Sequence, residues 1–254
     1  MKFIAILLSM ILLGGCTSSS GPERVAFDPE KAQAAASAKV HTELAAMYFE
    51  RSQMGIALGE IEQALQSDPG YAPAYNMRGL LHMALREDKE AEADFRRSLS
   101  LDRDDSEAHN NYGWFLCQRG REKESMPHFM AALKNPLYTT PERAYLNAGL
   151  CARRAGNLKD AEEFLQRALA VQPALPQAMF VLAELNFNRG NIQTARKYFS
   201  GFADRNEAMT AEQIWLGVRI ERSAGNQELE KQYAVQLRKR FPDAPETRSM
   251  MSGE

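Results

Sequence analysis

An all-α fold, a right-handed superhelix of six helix–turn–helix repeats, is predicted by three observations. The first is a periodic small residue: Ala45, Gly79, Gly113, Gly149, Ala183 and Gly217 are separated by 34, 34, 36, 34 and 34 positions. The second is another small or short residue twelve places after each of the first five, namely Ala57, Ala91, Ser125, Ala161 and Ala195. The third is a large apolar residue four places further on: Ile61, Phe95, Phe129, Leu165 and Phe199, with Tyr233 in the last copy. A small residue on one helix lets a second approach, and the large residue fills the groove that remains. Independent amphipathic helices of similar length would not hold this phase.

A fixed period of 34 with these residue types is the pattern of the tetratricopeptide repeat, in which each helix pair packs only on its neighbours. Residues 1–15, ahead of the repeats, read as a secretion signal. Lys2 supplies the positive start, and residues 3–13 form an apolar run too short to span a bilayer. Leu13-Gly14-Gly15-Cys16 resembles the bacterial lipobox, where cleavage precedes a cysteine already carrying a diacylglyceryl thioether. The alternative is an ordinary signal peptide that happens to contain a cysteine. A lipidated Cys16 would carry several acyl chains, which exceeds the single-chain limit for stable anchoring in a lipid bilayer. Thr17 beside it, in place of Asp, favours the periplasmic face of the outer membrane by resemblance to lipoprotein sorting rules. Residues 16–37 are then the lipidated cysteine and a flexible tether passing into helix.

The six repeats phase as 38–71, 72–105, 106–141, 142–175, 176–209 and 210–243, so that 38–243 is the repeat domain and 244–254 a C-terminal tail. Gly120, Gly156, Gly190 and Gly225 stand between paired helices, where a left-handed residue ends the first helix. Asp68-Pro69 and Gln172-Pro173 close second helices, since proline cannot continue one. Arg78 and Arg103 occupy places where a hydrophobe and a proline are usual. Leu229 and Gln236 replace small residues, so repeat six reads as a degenerate cap. Between repeats three and four the spacing grows by two, through Lys134 to Glu142. There Thr140 is the expected N-cap, with Pro141 at the first helical position and Glu142 near the positive helix end. The insertion either changes the curvature or is a tolerated loop.

An oxidising periplasm implies a disulfide between Cys117 and Cys151, the cysteines left after Cys16. They are twelfth and tenth in adjacent repeats. Two positions at about 100° each point them to opposite sides of equivalent helices, offset by only about 3 Å of rise. The alternative is two buried free thiols.

Composition narrows the function. A net charge of −2 makes nucleic acid a poor partner. The four histidines, His41, His82, His109 and His128, are scattered and form no metal-ligand spacing. No phosphate loop, nucleophile elbow or paired-carboxylate signature is present, so neither an enzyme nor a cofactor is expected. Charge runs such as Glu87 to Glu90 and Glu92 to Asp94 read as solvated helix faces, and the methionines as core or groove lining.

Function must then come from surfaces. In tetratricopeptide arrays the first helix of each repeat lines the concave face. Its inward positions here are Asn76, Leu80, Met83, Asn110, Trp114, Leu146, Leu150 and Arg153, continuing through Phe180, Glu184 and Phe187. Such a strip, apolar with asparagine donors, suits an extended or helical peptide. Trp114 is either an anchor on that wall or a side chain buried in repeat packing. The strip lacks the paired cations of the carboxylate clamp found in chaperone-binding arrays.

Three stretches carry a family resemblance. Asn110-Asn111-Tyr112-Gly113-Trp114-Phe115-Leu116-Cys117, the Pro-Leu-Tyr-Thr-Thr-Pro insertion and Gln236-Leu237-Arg238-Lys239-Arg240-Phe241-Pro242 resemble the type IV pilus biogenesis/stability lipoproteins (PilW/PilF). With the lipobox, tether and six repeats in order, the resemblance covers essentially the whole chain. It implies a monomeric pilotin that binds the outer-membrane secretin of the type IV pilus and promotes its localisation and multimer assembly. Another lipid-anchored tetratricopeptide scaffold for envelope protein assembly is the competing class.

Overall fold

The computed structural model describes residues 28–253, and among them every regular element is helical. The signal, Cys16 and the first part of the tether lie outside the described residues. Six antiparallel helix pairs follow one another: α1 (Pro29–Glu50) with α2 (Met54–Ser67), α3 (Ala72–Leu85) with α4 (Asp88–Leu101), and α5 (Ser106–Gln118) with α6 (Glu122–Lys134). Then come α7 (Pro141–Arg154) with α8 (Leu158–Val171), α9 (Pro176–Asn188) with α10 (Ile192–Ala203), and α11 (Ala211–Ser223) with α12 (Gln227–Arg240). A short α13 (Pro245–Ser252) ends the chain. The two helices of each pair are in the closest contact, and each pair then packs on the next, as a superhelix requires.

The periodic residues are the core of each pair. Ala45, Ala183, Ala57, Ala91, Ser125, Ala161 and Ala195 are inaccessible, as are Ile61, Phe95, Phe129 and Leu165. A Cβ added to Gly79 would stand 2.8 Å from Phe95, one on Gly113 2.9 Å from Phe129, and one on Gly149 2.7 Å from Leu165. In each case the partner is sixteen residues on, within the same repeat. Repeat six departs from this. Gly217 faces the Phe199 ring of the preceding repeat at 2.6 Å, with Tyr233 further off at 3.3 Å.

Both ends are more helical than composition suggests. Residues 29–37, assigned above to the tether, form the first turns of α1. Asp28 caps them by accepting the backbone N–H of Glu30 and Lys31, Pro29 opens the helix, and the alanine-rich run propagates it. The supposed tail forms α13. Its Thr247 is buried and donates its hydroxyl to the Phe241 carbonyl at 2.6 Å, while Met250 packs on the core of α9 to α12. Repeat six is therefore closed by α13 as well as by its own divergence.

Gly120, Gly156, Gly190 and Gly225 do adopt positive φ, but repeats one and two use Ser52 (φ 59°) and Arg86 (φ 63°) at the matching turn. Arg78, which replaces a hydrophobe, reaches Asp94 on α4 through Nε and Nη2 at 2.8 and 2.7 Å. The ion pair keeps the nearly buried Asp94 carboxylate compensated.

Candidate functional site

Two clefts open along the first helices. The larger, about 480 Å³, lies between α1, α3, α5 and the start of α7. Asn76 and Leu80 line it together with Phe49, Tyr71, Met77 and Asn111, under a mixed rim of Lys39, Glu43, Glu50, Glu107 and Arg143. The second, about 400 Å³, brings Trp114, Leu150 and Arg153 together with Cys117, Gln118 and Gln177. The remaining strip residues lie elsewhere. Met83 packs, partly buried, on the cluster of Phe95, Tyr112 and Phe115, and Leu146 packs on that of Leu165, Leu182 and Leu185. Trp114 is half-buried against Cys117, Phe129, Ala148 and Cys151, so one part of its ring is committed to packing while another lines the second cleft.

Asn110 is a correction. It is fully buried, and its side chain joins repeats instead of facing a ligand. Asn147 donates from Nδ2 to Asn110 Oδ1 at 3.0 Å, and Asn111 donates to Asn76 Oδ1 at 3.3 Å. Both bonds run from the place two before the reference glycine to the place three before it in the preceding repeat, since 147 is 149 minus 2 and 76 is 79 minus 3. The cleft residue is Asn111, one position along. Asn110 keeps an Nδ2 donor with no partner.

The two-residue insertion organises the edge of the larger cleft. Tyr138 OH and Thr140 Oγ1 donate to Glu107 Oε2 at 2.9 and 3.3 Å, and Arg143 donates to Oε1 at 3.0 Å. Thr140 sits at the N-cap of α7 but caps nothing with its side chain, because its hydroxyl is drawn to Glu107. Burial, with Glu107 alongside, pushes the Tyr138 phenol well above its usual range. Sequence reasoning missed Glu107 and Arg143; their signal was the insertion itself, which carries its own polar groups to the next helix.

Glu92 is a second correction. It is not a free surface charge. Its Oε1 accepts Tyr112 OH at 2.9 Å and Arg96 at 2.7 Å, and its Oε2 accepts Arg121 at 2.9 Å, tying α4 to α5 and to the α5–α6 turn. On the same flank His109 Nδ1 and His128 Nδ1 lie 2.9 Å apart, and the His109 Nε2–H donates to the Arg103 carbonyl. His128 is pulled down to about 4, first by burial and then by His109.

Cys117 and Cys151 are bridged, with Cα atoms 5.8 Å apart. The bond joins α5 to α7 across the insertion, and Ser125 Oγ lies 3.0 Å from Cys151 Sγ. Among the described residues, no group of three or more His, Cys, Asp or Glu could hold a metal ion. No described helix is long and apolar enough to cross a membrane. What the clefts offer is shape, apolar walls and hydrogen-bonding edges, the chemistry of peptide recognition.

Comparison with known proteins agrees with this fold. One tetratricopeptide repeat model matches residues 127–176 and 146–208, and another matches 72–105. The type IV pilus assembly protein PilF of Pseudomonas aeruginosa is 24% identical over 241 residues, 95% of this chain and 94% of its own length. The crystal structure of PilW, described as a widely conserved type IV pilus biogenesis factor, is 36% identical with a TM-score of 0.75, over 84% of this chain and 98% of that one. The structure of Pseudomonas aeruginosa PilF matches at a TM-score of 0.82 with 23% identity, over 88% and 99%.

Proposed function

The chain belongs to the family of tetratricopeptide type IV pilus biogenesis factors that includes PilW and PilF, and from that premise we propose that it is a pilotin. In this reading the protein is held at the periplasmic face of the outer membrane by acylated Cys16. It acts without catalysis, binding a segment of the pilus secretin and promoting its multimer assembly there. The observation that carries the reading is the 36% identity to PilW spread over nearly all of that protein. The clefts supply a means. An apolar segment would lie against Leu80 and Met77, with its backbone within reach of Asn76 and Asn111, while Trp114 and Leu150 would grip a neighbouring stretch. The lipid raises the local concentration of captured subunits at one membrane.

The test separates anchor from groove. Cys16→Ser should give an unlabelled precursor absent from outer-membrane fractions. Leu80→Asp, which places an unpaired charge in the cleft, and Trp114→Ala should each lower secretin capture and multimer yield while circular dichroism and lipidation stay normal. Glu90→Ala, on an exposed face of α4, should change nothing. Full multimers in the outer membrane from both cleft variants would refute the clefts as the docking surface. Normal secretin multimers in a strain lacking the protein would refute the pilotin role.

A further inference from the structure

Arg219 on α11 is a cation without a counterion. The side chain is half-buried, and among the described residues it makes no ion pair and no hydrogen bond; its Nε is sealed from solvent with no acceptor. Its guanidinium carbon lies 5.1 Å from the Phe187 ring centroid and 5.7 Å from that of Trp215. Three carboxylates of α9, α11 and α12 have other partners. Glu184 pairs with Arg153, Glu221 with Arg196 and Glu230 with Arg222.

Ring faces attract a guanidinium through its flat side and leave its N–H edge as a set of unused donors. A partly dehydrated cation in that state gains from an anion that meets the edge, and a planar carboxylate matches its fork. The position is right for a ligand. Trp215 stands two places before Gly217, as Asn111 stands two before Gly113, and Asn111 lines the larger cleft. Phe187 stands four after Ala183, as Cys117 stands four after Gly113, and Cys117 lines the second cleft. By repeat register the cation thus belongs to the same wall, toward its C-terminal end, beside two partly buried aromatic rings.

We propose that Phe187, Trp215 and Arg219 form a binding site for an Asp or Glu side chain of a bound protein segment. The carboxylate takes the terminal Nη groups, since the Nε–H is sealed from solvent, and apolar neighbours in the segment rest on the rings. The site is separate from the clefts assigned above, and its test does not involve the pilus system.

The sequence holds two tryptophans, so Trp114→Phe leaves Trp215 as the sole indole reporter in the otherwise full chain. The probe is the blocked peptide acetyl-Ala-Leu-Glu-Leu-Ala-amide, compared with its Gln isostere. A saturable change in Trp215 fluorescence with the Glu peptide is expected, weakened about tenfold or more by Gln in the peptide or by Arg219→Gln in the protein. Arg219→Lys should recover part of the affinity. The proposal is overturned by no saturable response, or by equal responses to the Glu and Gln peptides. It is equally overturned if the response comes only from a free C-terminal carboxylate, inorganic phosphate or phosphatidylglycerol vesicles. Should Arg219→Gln fail to fold, the two peptides against the parent protein still decide.

Discussion

The joint between repeats three and four and the joint between repeats five and six use the same two positions for opposite chemistry. Cys117 and Phe187 each stand four places after their reference small residue, and Cys151 and Arg219 each stand two places after theirs. In the first joint these places are closed by a covalent bond. In the second they meet through a cation and a ring face, and among the described residues the cation has no ion pair or hydrogen bond. Repeat geometry thus fixes where successive first helices touch, while the residues at the contact decide whether the joint is sealed or left able to bind. The sealed joint is also the one that carries the two-residue insertion, where loop length alone would leave the spacing less constrained.

Removing the bridge should have the largest effect. Cys117→Ala with Cys151→Ala should lower unfolding free energy by about 2–4 kcal/mol, read by urea denaturation. Mass spectrometry of the unreduced, alkylated parent should find neither residue alkylated. Overpacking within the same repeat comes next. Gly113→Leu drives a side chain into Phe129 and the Ser125 carbonyl, a cost of about 1–3 kcal/mol.

At the other joint, Phe187→Ala should cost less than breaking the bridge, about 1–2 kcal/mol, because only part of its ring is buried and its cation contact is worth about 1 kcal/mol. The equivalence itself can be tested by Phe187→Cys with Arg219→Cys. If the joints are superposable in geometry, the pair oxidises to a second bridge and its free thiols disappear; persistent thiols would show that they are not.

Acid should distinguish the two joints. His128 in repeat three binds fewer protons when folded than unfolded between about pH 6.5 and 4. Its contribution is therefore complete above about 6.5 and is lost as pH falls toward 4. Hydrogen exchange should loosen around α5 and α6 before α11, and His128→Gln should remove the difference.

The period of 34 and its small and large residues determined the helix pairs, their order and their cores, because those contacts join residues about sixteen apart in one repeat and, Gly217 aside, recur from copy to copy. The Cys117–Cys151 pairing was legible for the same reason: both residues hold periodic positions. Tertiary structure decided the matters that depend on how one repeat leans on the next. Adjacent residues on a helix point about 100° apart, so a small change in that lean sends Asn111 to the cleft and Asn110 into the joint. It likewise converts Glu92 from surface charge to a link between three segments, and lets the insertion hand Tyr138 and Thr140 to Glu107. The lone cation at Arg219 is of this kind. A sequence shows that an arginine is present, but only the packed array shows that it meets two rings and leaves a buried donor without an acceptor.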